Sequence, residues 1–178
     1  MNRGAFLDRD GVINKSLVVN GKPKSPSNLN ELLIIEGVVE AIEILLRFNF
    51  IPVVITNQPD IARGTNLITD VAMINKRISE ITGIQNFFLC VHDDNNNCTC
   101  RKPKPGLVLQ AAKELNIDIS KSFIVGDRWR DIELGQFLQI DSYFIDYGYS
   151  ETAPNMPYIA VDSLLGAVKN VVRNLNDT

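Results

Sequence analysis

Short apolar runs alternate along this chain with segments whose apolar residues recur every three or four positions. Ala5–Leu7 predicts a first strand. Val38, Val39, Ile42, Leu45 and Leu46 fall at helical spacing. Ile51–Ile55 is a continuous, mostly β-branched run, as expected of a strand buried on both faces, with Pro52 near its start. Thr69 is placed to cap a helix carrying Val71, Ile74, Ile78 and Ile81, and Phe87–Val91 predicts the next strand. Pro105 suits the first turn of a helix through Leu107, Leu109, Ala112 and Leu115. Then come a strand at Ser122–Val125, a helix with Ile132, Leu134 and Leu138, a strand at Tyr143–Ile145 and an amphipathic helix over Leu164–Leu175. Residues 14–31 are polar and broken by Gly21, Pro23 and Pro26, which predicts a loop. This alternation implies an α/β protein: a Rossmann-like, doubly wound parallel sheet with helices on both faces. No repeat or linker interrupts residues 1–178, so one domain is expected.

Ligands of such sheets bind beyond the carboxyl ends of the strands. Three polar segments sit where an apolar run stops: Asp8-Arg9-Asp10-Gly11, Thr56-Asn57-Gln58 and Gly126-Asp127-Arg128. Asp8 and Asp10, two residues apart, lie on one side of an extended backbone. Two carboxylates that close repel unless a proton or a cation joins them, and Asp127 would complete an all-oxygen site of the kind magnesium prefers. A carboxylate can also attack phosphorus, while a second carboxyl moves the proton. Thr56, backbone N–H groups and Lys102 could surround the transferring anion. Alone, Asp-x-Asp-Gly is better explained as a turn; the whole set, in this order on an α/β pattern, is not.

The formal charge of -3 argues against nucleic acid and anionic membrane as partners. No stretch approaches the ~20 apolar residues that span a bilayer. Met1–Leu7 runs straight into Asp8, leaving no room for a signal peptide. A cytoplasmic protein working as a monomer on a small phosphorylated molecule is expected. All three cysteines and the only histidine lie within eleven positions: Cys90, His92, Cys98 and Cys100. Three thiolates and one imidazole form a closed tetrahedral set typical of structural zinc. A disulfide with a spectator histidine is the plainer alternative, which the clustering disfavours.

The segment Phe6-Leu7-Asp8-Arg9-Asp10-Gly11-Val12-Ile13-Asn14 resembles the first motif of the haloacid dehalogenase (HAD) superfamily. Ile55-Thr56-Asn57-Gln58 resembles the second, Arg101-Lys102-Pro103 the third and Gly126-Asp127-Arg128-Trp129-Arg130-Asp131 the fourth. The nearest branch, that of the D-glycero-D-manno-heptose-1,7-bisphosphate 7-phosphatases and histidinol-phosphate phosphatases, carries a similar zinc loop. The resemblance implies a capless phosphatase of sugar (bis)phosphates, in carbohydrate metabolism, that works through an aspartyl-phosphate. It implies Asp8 as nucleophile and magnesium ligand, and Asp10 as general acid/base with its carbonyl on magnesium. Thr56 and Lys102 would hold the phosphoryl group, and Asp127 would complete the metal site, with Asp131 supporting it. Asn57, Gln58, Arg101 and Arg128 would contact substrate, Arg101 at its distal end. One departure stands out: Pro59-Asp60 replaces the Ser-Gly usual in the second motif, removing an N–H and adding a negative charge. A zinc-stabilised binding module without activity is the non-enzymatic alternative.

Overall fold

The structure, a computed structural model, describes residues 1–176. β1 (Asn2–Leu7) is followed by a small antiparallel hairpin, β2 (Leu17–Val19) and β3 (Lys22–Lys24), and then α1 (Val38–Arg47). β4 (Phe50–Asn57) leads through the one-turn α2 (Pro59–Ala62) into α3 (Ile68–Thr82) and β5 (Asn86–Cys90). α4 (Gly106–Glu114), β6 (Ile117–Gly126), α5 (Trp129–Leu138), β7 (Asp141–Ile145), β8 (Ile159–Val161) and α6 (Leu164–Asn176) complete the order. Six strands form one sheet in the order β5-β4-β1-β6-β7-β8, every pair parallel. The order reverses at β1, which lies between β4 and β6.

Strand periodicity divides the core into two layers. Ala5, Leu7, Val54, Phe123 and Val125 pack under α1, α3 and α6. Phe6, Val53, Ile55 and Ile124 face the opposite way, against α4 and Leu134 of α5. With both faces covered, the central strands read as unbroken apolar runs. No helix among the described residues is long and apolar enough to cross a membrane.

The segment expected to be a loop at 14–31 contains the β2–β3 hairpin. Its turn is Asn20-Gly21, both at positive φ (52° and 74°), a pair favoured in tight hairpin turns. Thr69 does not cap α3. The helix starts at Ile68 because extended Leu67 (φ -92°, ψ 144°) already stands at the cap position, and it makes no side-chain cap bond. Upstream, the N–H groups of Thr65 and Asn66 are taken by the Asp60 carbonyl, so the chain enters the helix before Thr69 can serve it. The short β8 is not predicted by the pattern, because three residues offer too little alternation. Among the described residues, only the hairpin, a 3-10 turn and α1 lie between β1 and β4, and only α2, α3, β5, a 3-10 turn and α4 between β4 and β6, with no separate cap domain in either segment.

Candidate active site and metal cluster

β1, β4 and β6 are neighbours, so their carboxyl ends bring Asp8, Thr56 and Asp127 together. The Asp8 N–H donates to the Val125 carbonyl at 3.0 Å, tying the first loop to the strand that carries Asp127. Gly11 turns at φ +89°, and a Cβ there would meet Asp127 Oδ2 at 1.9 Å. Gly126 makes similar room for Asp131, whose Cβ would lie 2.1 Å from an added methyl. Both glycines are needed for the close approach of backbone to carboxylate.

The carboxylates of Asp8, Asp127 and Asp131 lie within 4.8 Å of one another, all buried. Lys102 enters this cluster from the third motif, 2% exposed. Its Nζ lies 2.9 Å from Asp8 Oδ1 and 2.6 Å from Asp131 Oδ1, and it donates to the Ile55 carbonyl at 2.9 Å. Asp131 Oδ2 accepts from the Arg128 N–H, so both oxygens of Asp131 are engaged. Asp127 Oδ1 is buried and has no partner. Burial pushes Asp8 up to about 6; the charges of Asp131 and Asp10 add to this, while Lys102 opposes it. Burial, then Asp8 and Asp131, push Asp127 well above the carboxylate range. One ammonium does not balance three buried carboxylates, and an oxygen without a donor remains. This donor set fits a hard divalent cation.

Asp10 is surrounded by donors. Arg9, whose side chain is fully buried, makes a forked pair with it, and Asn14, Ser25 and Gln58 each donate to it at 2.8–2.9 Å. Burial alone would raise Asp10, but the Arg9 guanidinium and these three donors hold it below the usual range. Ser25 comes from the segment just after β3, so the hairpin is latched onto this carboxylate. Gln58 lies beneath Asp10 and bonds Thr56 Oγ1 as well, 1% exposed, and it does not line the cavity. Thr56 is as buried as Gln58 and likewise stands behind the cavity wall, so the Gln58 amide links the second motif to Asp10. Asn57 spans the backbone of Lys102, accepting from its N–H and donating to its carbonyl, and its edge lines the cavity. Arg128 is forked onto Glu151.

A small cavity of about 40 Å³ touches Asp8, Asp10 and Lys102. It continues into an open one of about 670 Å³ that shares Pro23, Lys24, Ser25, Asn57, Arg128 and Arg130 with it. Six basic side chains line the larger space (Lys22, Lys24, Arg63, Arg101, Arg128 and Arg130) against three acids, Asp60, Asp94 and Glu151. Pro59 and Asp60 also line it. The added charge of Asp60 is offset by Arg63 at 3.3 Å.

Cys90, His92, Cys98 and Cys100 converge at the end of β5, beside the second motif. The neighbouring distances are 3.6 Å from Cys90 Sγ to His92 Nδ1, 3.7 Å to Cys98 Sγ and 3.1 Å to Cys100 Sγ. None of the cysteines is in a disulfide. Tetrahedral ligands about 2.3 Å from zinc would stand roughly 3.7 Å apart, so this set can close on one ion. The loop is also tied outward. Asp93 forks onto Arg63, just past α2, and Asp94 binds Arg101 at 2.7 Å and Arg130 at 3.5 Å.

The sequence alone assigns no site role to Ser25, Arg9, Asn14, Asp94, Arg130, Glu151 or Tyr149. Asn20-Gly21 could have signalled the hairpin that brings Ser25. Arg9, Asn14 and Arg130 lie inside the first and fourth motif segments, and nothing local marks Asp94, Glu151 or Tyr149.

The model of the haloacid dehalogenase-like hydrolases matches residues 17–137. The D-glycero-beta-D-manno-heptose-1,7-bisphosphate 7-phosphatase of Helicobacter pylori is 33% identical over 142 residues, covering 75% of this chain and 78% of its own. The enzyme of that name from Pasteurella multocida is 34% identical over 154 residues, 79% of each chain. Among solved structures, the D,D-heptose 1.7-bisphosphate phosphatase from B. bronchiseptica, complexed with magnesium and phosphate, matches with a TM-score of 0.82. The identity is 22% and the coverage 97% of this chain and 99% of the other, a likeness of fold.

Proposed function

The chain belongs to the haloacid dehalogenase-like hydrolases and is a phosphoric monoester hydrolase, and we propose that it dephosphorylates a sugar bisphosphate, D-glycero-D-manno-heptose 1,7-bisphosphate, through a phosphoryl group carried on Asp8. The observation that carries this reading is the double cavity. Its inner end holds Asp8, Asp10 and Lys102, and its outer end is basic in a chain whose overall charge is negative. A phosphoryl group at the inner end leaves a second anion facing the outer guanidinium groups, among them Arg101 and Arg130.

In the first half-reaction an Asp8 oxygen forms a bond to phosphorus, the bond from phosphorus to the sugar oxygen breaks, and Asp10 gives that oxygen a proton. In the second, water attacks phosphorus, Asp10 takes its proton, and Asp8 is released with inorganic phosphate. The donors around Asp10 favour its carboxylate form, which serves the second half. Protonation makes one oxygen a donor, and the Ser25 hydroxyl, able to give or accept, tolerates both forms. Lys102 and Thr56 bind the transferring oxygens, Lys102 also holding Asp8 in place. Asp8, Asp127 and the Asp10 carbonyl would hold magnesium, which when bound neutralises charge on those oxygens. Chelation should reduce turnover to background and added magnesium should restore it. Calcium, with looser coordination, should not support it; full activity in calcium would contradict this site.

A substrate panel tests the reading: both anomers of the heptose bisphosphate, the matching monophosphates and histidinol phosphate. The bisphosphate should have the highest kcat/KM. Preference for histidinol phosphate, or for monophosphates across the panel, would reject the sugar bisphosphate.

Zinc belongs to the same proposal. One ion per chain, held by Cys90, His92, Cys98 and Cys100, would order a loop with little apolar surface and so present Arg101 and Lys102 to the cavity. Among the thiols, Cys98 is held down to about 7: slight burial raises it, while hydrogen bonds from the Arg101 backbone and from Cys100 lower it. Cys98→Ser should lower the zinc content and cut kcat/KM by about 10- to 100-fold through misplacement of the two basic side chains. Elemental analysis and kinetics read this, and zinc-free protein with native activity would refute it.

A further inference from the structure

The segment that leaves β7 crosses the carboxyl ends of the strands and touches the site at four points. Tyr147 Oη donates to the Gly11 carbonyl at 3.0 Å. Tyr149 Oη donates to Asp127 Oδ2 at 2.9 Å. The Ser150 N–H donates to the Gly21 carbonyl at the hairpin turn, 2.8 Å away, and Glu151 pairs with Arg128. Gly148, at φ +65°, lets the chain turn between the tyrosines. Their rings lie 5.6 Å apart and tilted by 31°, so each braces the other. Two phenols thus grip the loops that carry Asp8 and Asp127, and neither belongs to the four motifs.

The consequence falls on Asp127. Its Oδ2 is held between the Tyr149 hydroxyl and the Gly11 backbone, where even a methyl group would collide. Its Oδ1 is buried with no partner. Rotating the carboxylate breaks the Tyr149 bond, the one donor it has among the described residues, and Oδ1 is left bare in the cluster that Asp127 forms with Asp8 and Asp131. Groups that orient a metal ligand in this way set affinity by removing the cost of ordering it at binding.

We propose that Tyr149, braced by Tyr147, is a positioning residue for the divalent cation: it locks Asp127 so that Oδ1 faces the space shared with Asp8. This rests on the reading of Asp127 as a metal ligand. Tyr149→Phe removes one hydroxyl and keeps the ring. Magnesium chloride is titrated calorimetrically into full-length protein that retains its zinc and has been cleared of loosely bound ions on a chelating resin. Wild type should bind one magnesium ion, and Tyr149→Phe should weaken that binding by about tenfold or more. The magnesium needed for half-maximal rate should rise equally, with kcat at saturating magnesium and the magnesium-free Tm little changed. In an Asp127→Asn background, Tyr149→Phe should have no further effect on magnesium binding.

Equal magnesium affinity in wild type and Tyr149→Phe would overturn the positioning role and leave the metal site intact. A weakened affinity accompanied by a fall in magnesium-free Tm would also overturn it, because the hydroxyl would then be supporting the fold. Absence of magnesium binding by wild type would overturn the metal site itself, and the role of Tyr149 with it.

Discussion

Asp8→Asn is expected to lower turnover by about four orders of magnitude or more while the protein stays folded and no less stable. An amide cannot form the acyl phosphate, and what remains is the binding and polarisation supplied by Lys102, Thr56 and the cation. The stability half of the expectation comes from the environment. Asp8 is raised from 3.8 to about 6 by burial and by nearby carboxylates. An acid raised in the folded state binds its proton more tightly there than in the unfolded chain. Its contribution to stability is therefore present at low pH and is lost as pH rises through about 6. At pH 7 without magnesium, the ionised side chain is a cost that asparagine does not carry, so Tm should hold or rise. Initial rates on the bisphosphate and calorimetric melts check the two halves separately. Activity within tenfold of wild type would remove Asp8 as nucleophile, and a large drop in Tm would mean that its charge is needed for folding.

Lys102→Met should damage both stability and rate. The ammonium is buried between Asp8 and Asp131 and caps the Ile55 carbonyl. Burial alone would lower its proton affinity, but Asp131 and Asp8 outweigh that and raise it, so it stays charged. Removing it leaves two carboxylates buried without their partner, which costs about 3–5 kcal/mol. At about 2–4 °C per kcal/mol for a chain of this size, Tm should fall by roughly 6–20 °C. Loss of a donor to the phosphoryl oxygens should lower kcat by about 10²–10³-fold. Two further measurements separate the causes. Magnesium should stabilise Lys102→Met more than wild type, because a cation restores part of the balance. The double variant Lys102→Met/Asp131→Asn should be less destabilised than the sum of the singles, since each partner's loss relieves the other's. A Tm within about 2 °C of wild type would show that the carboxylates are already balanced without Lys102.

The α/β order was legible because two periods were. Runs such as Ile51–Ile55 belong to strands covered on both faces, and Val38, Ile42 and Leu45 share the buried side of α1. Errors arose where the local signal competes with tertiary contacts. Thr69 is a good capping residue in isolation, yet the Asp60 carbonyl had already set the entry into α3. Polar residues 14–31 have the composition of a loop, and their pairing into a hairpin is held by partners outside the segment: Asp10 through Ser25, and the distant Ser150 through Gly21.

For the site, the sequence by itself determined which chemistry could be assembled. Residues that end strands in a parallel sheet must share one edge, so Asp8, Thr56 and Asp127 were bound to meet once the strand order placed β1 between β4 and β6. The cysteines and His92 are close in sequence, so little chain has to be ordered to bring them together. The tertiary structure alone decided the state of each group. It put Gln58 beneath Asp10 and away from the cavity, engaged both oxygens of Asp131, left Asp127 Oδ1 bare, and set Tyr149, Glu151 and Asp94 against the motif residues. These pairings join residues up to 48 positions apart and depend on where whole elements come to rest. Hydrogen-bond partners and burial are properties of that packing, and no spacing rule along the chain encodes them.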